Sequence, residues 1–452
     1  MLLQSLLRPV LTPLMRGMFD APIASSAAWS PLALWPDGIA TPGMWISPRD
    51  LTSQWADYTG TTPVVTPGTV ADSANPVGLA LDIRAGATVL TDPGNHMLQS
   101  TSAARPLMSA RVNLLTYTED FGNAVWGLST NGTGVTPTKT PNYSAAPDGT
   151  VTACRLTFGL GAGDTSSDFS GLDRTISTSG LLPADSTNMR SLWVKSNNGL
   201  TQKVYLRNAY ATTSSHGELI TVTDTWTRIE SASTQSYLTG FSWTLWLRGG
   251  IADDHSADAD ILIWHPQLEL GTTATLYQRV TTDSDYDGDP AKFPYYLKFD
   301  DVDDGMATAA FTAGTLIDGM ECMIPVRWMQ GGLPTILGLY QTDQTRHFGV
   351  LATATGDSTE SFSECGSPTY LVDGVQLPGT TRGDLYDALS DYKWHILEVR
   401  ALDLSAWVDA AWGTYQVNGA RGDILLYPST ASTEDKDAAR QWLADYYGVT
   451  LP

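Results

Sequence analysis

Basic residues are scarce in this chain of 452 residues: Lys and Arg number 26 against 48 Asp and Glu, a formal charge of −22. A nucleic-acid partner needs clustered bases to neutralise phosphates, so that class of function is excluded. Glutamate is scarcer still, nine residues against 39 aspartates. Helical proteins favour Glu, whereas Asp belongs to turns, caps and calcium loops. The three cysteines, Cys154, Cys322 and Cys365, are odd in number and lack metal-ligand spacing. That argues against a disulfide framework and for synthesis in a reducing compartment. No apolar run has the length of a membrane span, so no membrane insertion is expected. Catalytic signatures are missing too: no Gly-x-Ser-x-Gly elbow, no His-Glu-x-x-His, no Cys-x-x-Cys and no phosphate loop. Gly159-Leu-Gly-Ala-Gly163 lacks a strand-to-helix setting and reads as a loop tip. The chain therefore reads as a non-enzyme, a polysaccharide depolymerase being left only to a carboxylate pair assembled by folding.

What is present suits many short strands. Hydrophobic residues make up 42% and charged residues 16%, enough for packed cores, and Gly 41 and Pro 25 supply turns. Between 113 and 280, strand-length runs with period-2 alternation recur, among them Ser191-Leu-Trp-Val-Lys195, Gln202-Lys-Val-Tyr-Leu-Arg207 and Phe241-Ser-Trp-Thr-Leu-Trp-Leu-Arg248. Residues 295–427 repeat that grammar, for example in Tyr295-Tyr-Leu-Lys-Phe299 and His395-Ile-Leu-Glu-Val399. One helix is predicted, at the C-terminus: Ser432 or Thr433 caps it, Ala439, Trp442, Leu443 and Tyr446 form its apolar stripe, and Gly448 ends it. The fold class is all-β, two β-sandwich modules with one C-terminal α-helix. Residues 1–42 read as an anchoring arm, its Leu2, Leu3, Leu6, Leu7, Leu11 and Leu14 interrupted by Arg8, Pro9, Pro13 and Arg16. That pattern, without a basic leading region, is unlike a signal peptide.

Asn113-Leu-Leu-Thr-Tyr-Thr-Glu-Asp-Phe121, Trp126, Ala146-Pro-Asp-Gly-Thr150, Thr225-Trp-Thr-Arg228 and Trp264-His-Pro-Gln-Leu-Glu-Leu-Gly271 together resemble a jelly-roll module of bacteriophage virion proteins. That module is similar to the carbohydrate-binding modules of polysaccharide-active enzymes. Trp45-Ile-Ser-Pro-Arg-Asp-Leu51, Asp57-Tyr-Thr-Gly-Thr-Thr-Pro63, Pro76-Val-Gly-Leu79, Ser102-Ala-Ala-Arg-Pro106 and Leu297-Lys-Phe-Asp-Asp-Val-Asp-Asp-Gly305 resemble a concanavalin-A/laminin-G-like sandwich. The resemblance implies an insertion: residues 43–110 plus 285–452 build one sandwich and 113–280 are a jelly roll set into it, three sequential units being the alternative. It further implies a virion protein, of tail fibre or head fibre type, made in the host cytoplasm. By analogy the chain assembles as a homo-oligomer, a trimer, and holds other virion proteins through residues 1–42. Host surface polysaccharide is the expected ligand; a purely structural head fibre, decoration or tail adaptor protein is the alternative.

On three strands an aromatic is followed two residues later by a base: Trp193-x-Lys195, Tyr205-x-Arg207 and Trp246-x-Arg248. Period 2 places each pair on one side of its strand, with Leu192, Val194, Val204, Leu206, Leu245 and Leu247 on the other. Flat rings beside cations suit a sugar with acidic substituents. The other reading is an apolar interface with the bases reaching past it to solvent. Asp283, Asp285, Asp287 and Asp289 follow the opening of a calcium loop, but Pro294 stands where an EF-hand needs its bidentate Glu. A solvated acidic linker is the alternative there, and for the run Asp300, Asp301, Asp303 and Asp304. The resemblance adds Glu119 and Asp260 as positions where related modules hold a structural calcium, the sole cofactor expected.

Overall fold

Ten strands between 127 and 270 form two five-stranded antiparallel sheets in a computed structural model, which describes residues 29–176, 186–209, 217–235, 241–250, 254–300, 302–312, 314–330, 335–352, 355–413 and 418–452. In the first sheet the spatial order is Thr227–Gln235, Ser186–Ser196, Asp258–Leu270, Ala153–Gly159, Val135–Ser144. In the second it is Glu218–Val222, Gln202–Ala209, Phe241–Arg248, Phe169–Ile176, Gly127–Asn131. Alternate residues fill the space between them: Leu192, Val194, Val204, Leu206, Leu245 and Leu247 have no exposed surface. This is the jelly roll. Trp126 closes one end, its ring 5.6 Å from Trp243 and its Nε1 donating to the Tyr117 carbonyl at 2.8 Å.

A nine-stranded antiparallel sheet makes the second module. Its long strand Asp318–Gln330 pairs with His395–Asp403, Asn418–Arg421 and Ile424–Pro428. Strands from early in the chain complete it: Met44–Ile46 pairs with Ile424–Pro428, and Leu107–Ser109 with Tyr296–Asp300. The facing sheet also mixes the two ends of the chain, in the order Gln54–Trp55, Leu79–Ala80, Met97–Leu98, Met306–Thr308, Ala411–Trp412. Chain leaves this sandwich near 110 and re-enters near 287, and the two crossings lie side by side. Buried Asn113 and Gln278 join them: Gln278 Oε1 accepts from Val112 N and Asn113 N, while its Nε2 donates to Ala110 O and Asp287 O.

The C-terminal helix Thr433–Tyr447 starts at Ser432, whose side chain accepts from Asp435 N, and ends at left-handed Gly448. Ala439, Leu443, Ala444 and Tyr447 are its buried face. Residues 29–42, counted with the arm in the sequence reading, pack instead on this helix and the large sheet, because Leu34 and Trp35 bury themselves beside Leu425 and Tyr427. Residues 1–28 lie outside the described residues. A second helix, Arg382–Leu389, corrects the expectation of one; its capping box of Thr381 and Asp384 was the available signal. No helix among the described residues is long and apolar enough to cross a membrane.

His395 ties the large sheet to its flanking turns, its Nδ1 2.7 Å from Asp373 and its Nε2 2.8 Å from Asp391. Burial alone would lower its pKa, but the two carboxylates raise it to about 9. A pKa raised on folding contributes stability that is whole below the unfolded value and is lost as pH climbs through the folded one. From 6.5 to about 9 this is worth roughly 3 kcal/mol. The urea-derived stability gap between the parent and His395→Gln should therefore be widest near pH 6 and shrink steadily toward pH 9. A gap independent of pH would contradict the assignment.

Candidate functional site

The aromatic-x-base pairs do project outward from the jelly-roll core, but not on one face. Trp193 and Lys195 stand on the first sheet, since their strand pairs with Thr227–Gln235 and Asp258–Leu270. Tyr205, Arg207, Trp246 and Arg248 stand on the second, since Gln202–Ala209 crosses to it after the turn at 197–201. The six residues therefore form two groups on opposite sides of the module.

On the second sheet, Tyr205 lies directly across from Trp246. Arg207 and Arg248 bring their guanidinium carbons to 4.6 and 5.3 Å from the Trp246 ring centroid, and the Phe169 ring is 5.3 Å away. Gly171, opposite Trp246 on the other neighbouring strand, permits this close packing: a Cβ there would meet the Trp246 Cβ at 2.5 Å. Next to it, Asp173 accepts from Thr244 Oγ1 at 2.9 Å, and burial pushes its carboxyl pKa up. Arg248 Nε donates to Ser166 O at 2.8 Å. Tyr205 is 1% and Trp246 4% exposed, so neither ring offers a face to a ligand in this arrangement.

The first sheet differs. Trp193 lies across from Trp264 on one side and Arg228 on the other. The paired register ends at Val194 and Thr227, and Trp226 and Lys195 are the next residues of the two chains. Trp193 and Trp226 are half-buried on a floor of Ala146, Ala153 and Trp264, which forms a row of indoles across rigid strands. Trp264 is held by Nε1 donating to Thr152 Oγ1 at 3.0 Å and by the His265 ring stacked on it at 3.2 Å, with Tyr277 stacked beyond. His265 follows Trp264 at φ +51°, close to where the strand slips register against Ser191 and Trp193, and this turns two successive rings toward the same side. Burial lowers the His265 pKa against the pull of Glu119, 3.2 Å away. Polar groups rim the row: Arg228 donates to Ser191 Oγ and Thr275 O, and Arg155 pairs with Asp260 through two 2.8 Å bonds. Trp226-Thr-Arg228 carries the same aromatic-x-base spacing as the three pairs singled out from the sequence, so that pattern was the signal for it. Trp264 had no such signal.

The acidic positions do not converge. Asp283 pairs with Arg111, Asp285 with Arg279 at 2.8 Å, and Asp287 and Asp289 with Lys292 at 3.6 and 3.3 Å. Three bases flank this run and hold its four carboxylates, Lys292 being shared by Asp287 and Asp289. Glu119 faces His265, whereas Asp260 faces Arg155 and Asn197 five residues earlier on the same strand. The one group of three metal-type ligands within 4.8 Å among the described residues is Asp300, Asp303 and Asp304. There burial and the neighbouring carboxylates raise the Asp304 pKa to about 7.

No family model matches the chain, and no curated protein does. Solved structures similar to part of it include the enzymatically active domain of tailspike protein 4 from bacteriophage CBA120, 16% identical with a TM-score of 0.24 over 35% of this chain and 21% of that one. The chain thus matches about a fifth of that domain's length. A family 61 carbohydrate-binding module in complex with β-1,4-galactotriose is 17% identical, with a TM-score of 0.24 over 35% of this chain and 99% of the module. A family 11 carbohydrate-binding module from Clostridium thermocellum, in complex with a β-1,3-1,4-mixed-linked tetrasaccharide, is 12% identical, with a TM-score of 0.24 over 35% of this chain and 94% of the module.

Proposed function

We propose that the jelly roll binds surface glycan and that the chain is a non-catalytic adhesion protein of a phage particle, displayed as a homo-oligomer. The observation that carries glycan binding is the half-buried Trp193 and Trp226 on one sheet face, with Arg228 across from Trp193 and Lys195 two residues along the same strand. Sugar rings lay their C–H faces on such indoles, and the bases orient acidic or hydroxyl substituents. Strands hold the rings in place before the ligand arrives, so little ordering cost falls on binding. The phage setting and the trimer rest on the resemblance of the 113–121 and 264–271 segments, and attachment to other virion proteins falls to residues 1–28 of the arm, since 29–42 pack on the sandwich. Repetition over subunits would turn weak single-site contact into useful avidity.

The test is a glycan array probed with the whole chain, followed by affinity measurement on the best hit. Trp193→Ala should weaken binding about tenfold, the effect of losing roughly 1.4 kcal/mol of stacking, with the fold and oligomeric state retained. If no glycan binds and Trp193→Ala instead disperses the oligomer, the indole row is a subunit contact and the protein is architectural.

A further inference from the structure

A cavity of about 730 Å³ lies where the last jelly-roll strand runs out onto the sandwich. Four segments wall it: the turn 271–276, the returning chain 290–294, the start of strand His395–Asp403, and the end of the C-terminal helix. Its size is that of a small-ligand site. It adjoins the indole row, since Glu269 and Leu270 end the strand that carries Trp264 and Thr275 in the cavity wall accepts from Arg228, but its groups are different ones.

Its charged groups are unequally occupied. Glu269 already accepts from Thr275 N, Thr275 Oγ1 and Gln267 Nε2, and burial raises its carboxyl pKa. Asp373 is taken by His395. Arg327, by contrast, is 8% exposed and forms no ion pair with any described carboxylate. Its Nε donates to Tyr392 O and its Nη2 to Leu270 O, each at 2.9 Å, which leaves Nη1 without a partner among the described residues. The guanidinium is thus hydrogen-bonded to two neutral carbonyls, with Glu269 and Asp391 acting on its charge without direct contact. Lys292 and Lys393 line the same space, the first paired with Asp287 and Asp289 and the second with Asp391 at 3.0 Å. The opposite character comes from Phe293, Trp394 and Tyr446, whose rings supply apolar wall.

We propose that this cavity binds a short acidic saccharide, its carboxylate received by Arg327 and its ring C–H face set against Trp394 and Tyr446. Guanidinium matches carboxylate geometry better than an ammonium does, and an aromatic wall beside it selects a sugar over a simple inorganic anion. The site goes beyond the glycan platform proposed above: Arg327, Trp394 and Tyr446 are none of the residues offered to glycan there.

Calorimetric titration of the full chain tests this, with trigalacturonate as the acidic probe and maltotriose as the neutral one. Saturable trigalacturonate binding that weakens with salt, with maltotriose silent, is the expected result. Lys393→Ala and Trp394→Ala should each weaken it about tenfold, whereas Trp193→Ala should leave it untouched. Arg327→Lys, checked for an unchanged melting curve, should lose most of the binding while keeping the charge. No saturable binding of trigalacturonate overturns the proposal. Equal binding of both probes, or binding indifferent to Lys393→Ala and Trp394→Ala, does so as well. Loss of array binding in Trp193→Ala with trigalacturonate binding intact would show the two sites to be independent, so either can fail alone.

Discussion

Gln278→Leu should destabilise the protein by at least about 4 kcal/mol. The side chain is fully buried and serves four backbone groups, from Val112 N at 2.7 Å to Ala110 O at 2.8 Å, Asp287 O at 2.9 Å and Asn113 N at 3.0 Å. Leucine fills the volume but pairs with none of them. Each orphaned buried donor or acceptor costs about 1–3 kcal/mol, far more than the net value of the bond it lost. Because these bonds join the two chain crossings, the unfolding curve should also lose cooperativity, the jelly roll melting apart from the sandwich. Urea titration followed by tryptophan fluorescence reads both effects. A loss below about 1 kcal/mol would mean that water replaces the amide and that the crossings are held by something else.

Glu398→Ala should cost about 3–5 kcal/mol. Glu398 has no exposed surface and lies beneath the C-terminal helix, where its carboxylate accepts from Arg400 Nε at 2.5 Å and Arg440 Nε at 2.9 Å, with Arg440 Nη2 at ion-pair distance, 2.8 Å. Removing the acid strands the Arg440 guanidinium in a low-dielectric seam with only the exposed Asp437 left to it. The penalty is mostly that stranded charge rather than the worth of the pair itself. The double variant Glu398→Met with Arg440→Met should accordingly be more stable than Glu398→Ala alone. Thermal and urea unfolding of the three proteins measures this directly; a double variant as unstable as the sum of its parts would refute the account.

Much of the fold could be read along the chain because its physics is local. Alternation along Ser191–Lys195, Gln202–Arg207 and Phe241–Arg248 marks Leu192, Val204 and Leu245 as core, and each is fully buried. The C-terminal helix is bounded by Ser432 and Gly448, whose capping and left-handed geometry need only near neighbours. The helix Arg382–Leu389 was harder to read, since eight residues carry too short an apolar period and only its capping box announces it. The carboxylates of 283–289 show the limit of motif reading. Their spacing is that of a calcium loop, yet Asp283 turns to Arg111, Asp285 to Arg279, and Asp287 and Asp289 together to Lys292.

The sequence by itself determined that this is an all-β protein, which side of each strand is core, and where the last helix starts and stops. These depend on side-chain period, turn residues and caps within a few positions. Only the tertiary structure decided which sheet each strand joins, and therefore that Trp193 meets Trp226 and Trp264 on one face while Tyr205 and Trp246 pack with arginines on the other. It also decided that Met44–Ile46 lies beside Ile424–Pro428, and that a cavity opens between 271–276 and 290–294. Strand pairing is a contest among many edges offering the same backbone hydrogen bonds. It is won by the total burial of all strands together, a quantity that no single segment carries.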